Sequence, residues 1–180
     1  RLPAWPERSE HRNMSAQSPT FSSFKVRSIG QFSAELRVPG DKSISHRAIM
    51  LGALANGPCE VSGFLPSADC WCTVEAMRAL GVQIEVLEES DFGPTRLLVH
   101  GRSGQLNAPN APINCGNSGT TIRLLSGILA AQPFETELFG DDSLSRRPMD
   151  RVAGPLRQMG AEIEGRGERC TAPLRIRGSR

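Results

Sequence analysis

A chain of 180 residues is long enough for one ordinary domain, which would bury roughly 70% of its unfolded surface. Its 21 Lys and Arg against 19 Asp and Glu leave a net charge of +2, too even for nucleic-acid binding through a broad basic face. The longest apolar or small runs, "AIMLGALA" and "LLSGILAA", fall well short of the ~20 residues that cross a bilayer.

Residues 1–22 are rich in Pro, Ser and charge and have no period, so they read as a tail or linker, with Met14 a candidate start. The ordered part is expected over residues 23–180. Five cysteines (Cys59, Cys70, Cys72, Cys115, Cys170) include no CxxC pair, and His11, His46 and His100 are scattered, so neither a zinc site nor another cofactor is expected. An odd thiol count without a signal peptide points to a soluble chain in the cytoplasm, with no membrane partner.

From residue 38 onward the elements come in order. Helical spacing covers about 43–56, a β-branched strand 59–64, a second helix about 68–80 stopped by Gly81, and strands 82–87 and 95–100. The order then returns: helix about 119–131, strand 134–139, helix about 148–159 with Pro148 in its first turn, a stop at Gly160, and strands 161–164 and 173–177. Gly63 falls on Gly140, Gly81 on Gly160 and Gly101 on Gly178, an offset of about 77 residues. Arg47 falls on Arg123. The chain therefore reads as two copies of a βαβαββ unit, over about 38–101 and 114–178, in an α/β (α+β) domain with helices on sheet.

The two helix openings carry the chemistry. In "PGDKSISHRA" the first turns hold Lys42, Ser43 and Arg47, with Ser43 and Arg47 on one face, where an acidic residue would ordinarily offset the dipole. Exposed N–H groups beside fixed cations suit an incoming phosphate or carboxylate, and the dipole alone favours an anion by about 0.3–1 kcal/mol. The plain alternative is that Asp41 or Ser43 caps the helix and Lys42 is solvated. This is not a P-loop, because no glycine directly precedes the lysine. In "NCGNSGTTIR", Gly116 and Gly119 let backbone approach a ligand; "DDSLSRRPM" adds Arg146 and Arg147 before a helix. Read singly these are a polar loop and a surface charge pair, but on a repeat they fall in register. Cys115 reads as a small residue in a tight turn rather than a nucleophile, and His46 as a helix surface residue.

Together, "PGDKSISHRA", "NCGNSGTTIRLL" and "GDDSLSRRPM" closely resemble the amino-terminal half of the EPSP synthases, over about Val26 to Gly178. The resemblance implies a two-domain fold with three βαβαββ units per domain, of which two are present here and the second domain is not. It implies transfer of the enolpyruvyl group of phosphoenolpyruvate to the 5-hydroxyl of shikimate 3-phosphate. Lys42 would bind both substrates and assist proton transfer; Ser43 and Arg47 would hold shikimate 3-phosphate. Asn117, Gly119, Thr120 and Arg147 would line the phosphoenolpyruvate site, with no metal. It further implies a monomer when full length and, with glycine at Gly119, inhibition by glyphosate, although "GDKSISHR" also resembles less sensitive members. The second unit ends near "RIRGSR", so the segment alone is expected to be inactive. Two alternatives stand: the related enolpyruvyl transferase acting on UDP-N-acetylglucosamine, and a non-catalytic anion-binding fragment.

Overall fold

The computed structural model describes Lys25, Gly30, Gln31, Ser33, Glu35 and residues 38–178; the tail expected over residues 1–22 lies outside them. The chain divides into Arg1–Leu36 and Arg37–Arg180, and the second part holds every helix and strand described below.

The first unit runs α1 (Lys42–Leu54), β1 (Pro58–Ser62), α2 (Ala68–Ala79), β2 (Ile84–Ser90) and β3 (Gly93–His100). The second runs β4 (Ile113–Asn114), α3 (Gly119–Leu129), β5 (Glu135–Phe139), α4 (Asp142–Ser145), α5 (Asp150–Gln158), β6 (Glu162–Arg166) and β7 (Thr171–Arg177). The sheets are ordered β1-β3-β2 and β4-β5-β7-β6. In both, the last strand of the unit sits in the middle, antiparallel to each neighbour.

The duplication reaches the level of register. Pro58 pairs with His100 and Val61 with Leu97; at the sequence offset of about 77 residues, Glu135 pairs with Arg177 and Leu138 with Leu174. The two second helices end alike, on glycines with positive φ, Gly81 at 84° and Gly160 at 100°. Gly81 N–H reaches the Arg78 carbonyl and Val82 N–H the Met77 carbonyl; Gly160 and Ala161 repeat the pattern onto Arg157 and Leu156. Those paired bonds take up carbonyls the helix end leaves unsatisfied.

One apolar core spans both units. Ile49, Met50, Val74, Met77, Leu97 and Val99 fill the first half; Ile122, Leu125, Leu138, Leu174 and Ile176 fill the second. The units join where α2 packs against α3 and β4.

Three details differ from the sequence expectation. Pro148 lies ahead of α5, which begins at Asp150 with Met149 as its N-cap. The N–H groups of Met149 and Asp150 instead meet the Arg169 carbonyl of the β6–β7 turn, so tertiary contact sets the helix start. The single-turn α4 and the two-residue β4, parallel to β5, were not expected, being too short to show a period.

Candidate functional site

At the α1 opening, Asp41 is the N-cap: its Oδ1 accepts the Ile44 N–H at 2.8 Å. No acidic residue follows in the first turn. The opposite charge comes from another helix, because Lys42 Nζ pairs with Asp69 Oδ2 in the first turn of α2. Asp69 was not singled out from sequence, since its partner lies on a different helix. Ser43 is exposed, and its carbonyl accepts Arg47 Nη1 at 3.1 Å.

The α3 opening repeats that arrangement. Ser118 is the N-cap and accepts the Thr121 N–H. Arg123, the counterpart of Arg47, donates from Nη1 to the Gly119 carbonyl at 3.1 Å, again four residues back, and from Nη2 to the Pro148 carbonyl. Arg147 donates from Nη2 to Asn117 Oδ1 at 2.8 Å, and Asn117 Nδ2 donates to Asp141 Oδ2 at 2.7 Å. Asp141 fixes the cluster, for its other oxygen caps α4 at Leu144 and its N–H meets the Gly116 carbonyl. The Asn117 amide, with the Leu144 N–H and the Arg147 charge behind it, holds the Asp141 carboxyl below its usual range. Nothing in the spacing of "GDDSL" distinguishes that role from an ordinary cap.

Gly119 is covered by two guanidinium groups. A Cβ there would stand 2.6 Å from Arg123 Nη1 and 2.8 Å from Arg147 Nη1. Thr120 is half-buried beside it. The openings are linked through α2: Asp69, which holds Lys42, offers its carbonyl to Thr121 Oγ1 at 3.4 Å, and the Lys42 carbonyl faces Cys70 Sγ. Lys42, Asn117, Gly119, Thr120 and Arg147 thus belong to one contiguous set of helix starts. Ser43 and Arg47 lie on the exposed face of α1. No direct contact joins Lys42 to Arg147 among the described residues. A groove of about 280 Å³ between α1 and β1, lined by Asp41, Ile44, Ser45 and Phe64, includes none of these candidates.

His46 corrects the sequence reading, for it is fully buried. It belongs to the inward stripe of α1 with Ile49, Met50 and Ala53, the spacing that could have revealed it. Burial, reinforced by Lys42 and Arg47 and opposed by Asp69, lowers its pKa below 6.5. Cys115 is buried, and burial, with Cys72 nearby, pushes its thiol up to about 12, the opposite of what a nucleophile needs.

Residues 26–180 match the family model of EPSP synthase (3-phosphoshikimate 1-carboxyvinyltransferase). A relative of that enzyme name from Akkermansia muciniphila is 55% identical over 156 residues, covering 85% of this chain and 36% of the relative. Another, from Methylococcus capsulatus, is 57% identical over 152 residues, covering 83% and 33%. A solved EPSP synthase structure from Acinetobacter baumannii superposes with a TM-score of 0.73 at 48% identity, over 80% of this chain and 32% of that one. The chain spans about a third of the length of the curated relatives it matches. These names favour the shikimate enzyme over the UDP-N-acetylglucosamine enzyme.

Proposed function

The chain belongs to the EPSP synthase family, and from that premise we propose that the full-length protein transfers the enolpyruvyl group of phosphoenolpyruvate to the 5-hydroxyl of shikimate 3-phosphate, releasing phosphate. The observation that carries this reading is the helix start at Gly119, overhung by the Arg123 and Arg147 guanidinium groups, next to the helix start that bears Lys42. Both substrates carry a phosphate and a carboxylate, and preorganised cations at helix openings suit that charge pattern.

In this reading Ser43 and Arg47 hold shikimate 3-phosphate from the exposed face of α1. Asn117, Thr120 and Arg147 hold phosphoenolpyruvate, with Gly119 letting it approach the backbone. Lys42 lies between the two, held there by Asp69, where its remaining ammonium protons bind both and assist proton transfer to the methylene carbon. The 5-hydroxyl then adds to the cationic carbon and gives up its proton, and the adduct eliminates phosphate as one proton leaves its methyl group, which restores the carbon–carbon double bond. Holding two anions together contributes through proximity as well as charge. The described segment amounts to two units of an amino-terminal domain; the remaining acid–base groups would come from a second domain. Glyphosate is proposed to compete for the phosphoenolpyruvate site, and the full-length protein to act as a cytoplasmic monomer. No helix among the described residues is long and apolar enough to cross a membrane.

Phosphate release by the full-length protein is the test. Release that requires both phosphoenolpyruvate and shikimate 3-phosphate is expected. Release with UDP-N-acetylglucosamine instead, or none with either acceptor, would overturn the reading.

A further inference from the structure

One polar chain runs through the interior from the first unit to the second. His46 Nδ1 on α1 lies 2.6 Å from Thr73 Oγ1 on α2, which lies 2.8 Å from Thr121 Oγ1 on α3, itself 2.8 Å from Ser118 Oγ. Ser118 Oγ also takes the Thr121 N–H, capping α3. All four side chains are fully buried. Each stands within a turn of a candidate site residue: His46 after Lys42 and beside Arg47, Thr73 after Asp69, Ser118 and Thr121 on either side of Gly119 and Thr120.

Thr121 Oγ1 donates to Ser118 Oγ, and a hydroxyl has one proton to give, so Thr73 donates to Thr121 and the Nδ1–H of His46 donates to Thr73. His46 Nε2 is left buried without a partner. An interior of low polarity makes such a chain strong when complete and costly when broken. The charged groups facing His46 are Lys42 and Arg47 from its own helix and Asp69 from α2; α3 presents the hydroxyls of Thr121 and Ser118. Burial first, and then two cations against one carboxylate, disfavour the charged imidazolium.

We propose that the His46–Thr73–Thr121–Ser118 chain is a positioning device that sets the separation of the α1 and α3 openings, and with it the separation of the two substrate anions, with His46 working as a neutral imidazole. The catalytic part of this inference rests on the function proposed above.

The test uses the full-length protein. Thr73→Val keeps the shape but cuts the chain; Thr73→Ser keeps the hydroxyl. Well below the melting temperature, Thr73→Val is expected to lower kcat about tenfold and raise both KM values, and Thr73→Ser to recover to within about threefold of the parent. Thr73→Val that melts earlier yet turns over normally would make the chain merely structural and overturn the proposal. So would Thr73→Ser as impaired as Thr73→Val. If Thr73→Val does not fold, Thr121→Ser against Thr121→Val reads the same contrast from the other unit. Nitrogen NMR of the histidine rings tests the chain independently of turnover. His46 is expected as a single neutral tautomer at pH 7.5, shifted by Thr73→Val; a His46 that titrates at or above 6.5 overturns the proposal. A parent protein without turnover would defeat the functional reading alone, and the NMR result would still decide whether the chain exists.

Discussion

The Nη1 atom of Arg147 lies 2.8 Å from the point where a Cβ on Gly119 would stand, with Arg123 Nη1 at 2.6 Å. The backbone of Gly119 is fixed at the start of α3, so any side chain there must move the guanidinium groups. Both are ends of flexible side chains, so they can move cheaply. Gly119→Ala is therefore expected to change stability by less than about 1 kcal/mol while displacing the cations assigned to phosphoenolpyruvate. Steady-state kinetics should show KM for phosphoenolpyruvate raised about tenfold, a cost of about 1.4 kcal/mol, with KM for shikimate 3-phosphate little changed. Glyphosate inhibition should weaken in parallel. An unchanged KM for phosphoenolpyruvate would remove Gly119 from that site.

The assignment of the two openings to two substrates is separable by mutation. Arg147→Ala should raise KM for phosphoenolpyruvate far more than that for shikimate 3-phosphate, by about 10²-fold if one charge-assisted contact to a fixed anion is lost. Arg147→Lys should recover little, because a lysine cannot satisfy Asn117 and a bidentate anion from one planar group. Ser43→Ala and Arg47→Ala should do the reverse. Equal effects on both constants from either set would contradict the division.

Asp69 holds Lys42 from the neighbouring helix, and both side chains are partly exposed. An ion pair in that setting contributes about 0–1 kcal/mol, so Asp69→Asn should leave the melting temperature nearly unchanged. Its effect should appear in turnover, because Lys42 then has no carboxylate holding it between the two openings. A fall in kcat of about tenfold or more is expected from the misplacement. A variant with normal kcat would reduce the pair to surface electrostatics.

The repeat was legible because its markers are local. Gly81 and Gly160 announce helix stops, Arg47 and Arg123 hold the same place in each first helix, and the equal spacing forces equal strand register. What sequence could not supply was partnership across elements. Lys42 reads as an unbalanced cation until Asp69 is brought to it from α2. Asn117 reads as a turn residue until Asp141 and Arg147 fix both ends of its amide. His46 was misplaced because its neighbours in sequence are charged, although its spacing to Ile49 and Ala53 marks the inward face. Pro148 carries a real helix-start preference, overridden here by the Arg169 carbonyl one hairpin away.

Acid should weaken the fold through His46. Its native pKa lies below the ordinary 6.5, lowered first by burial and then by Lys42. Below pH 6.5 the unfolded chain takes up a proton that the native imidazole refuses, so stability falls as the pH drops through that value and on towards the native pKa. Above it the contribution is complete. Urea titrations at pH 7.5, 6.5 and 5.5 should show the parent losing more stability on acidification than His46→Gln, which cannot titrate. Equal losses would mean that His46 titrates alike in the native and the unfolded chain.

The paired glycines that follow the sheets give a test of the fold itself. A Cβ on Gly101 would collide with the Ala55 carbonyl oxygen and stand 2.6 Å from that of Gly57; on Gly178 it would collide with Gln132 O and stand 2.8 Å from Ala130 O. At Gly101 these acceptors are already engaged, Gly57 by the Gly101 N–H at 3.0 Å and Ala55 by the Ser103 N–H at 2.9 Å, so they cannot retreat without breaking the turn that follows α1. Gly101→Ala and Gly178→Ala should each cost about 1–3 kcal/mol, and, lying in different units, their costs should add. Gly127→Ala is the counter-case. That glycine is exposed within α3, with nothing within 4 Å of the added carbon. Alanine there should stabilise by about 0.5–1 kcal/mol, through helix propensity and a less flexible unfolded chain. Calorimetric melting of the three variants reads the contrast directly: two downward shifts and one upward. A tolerated Gly101→Ala would mean that β3 and α1 do not approach as closely as the repeat requires.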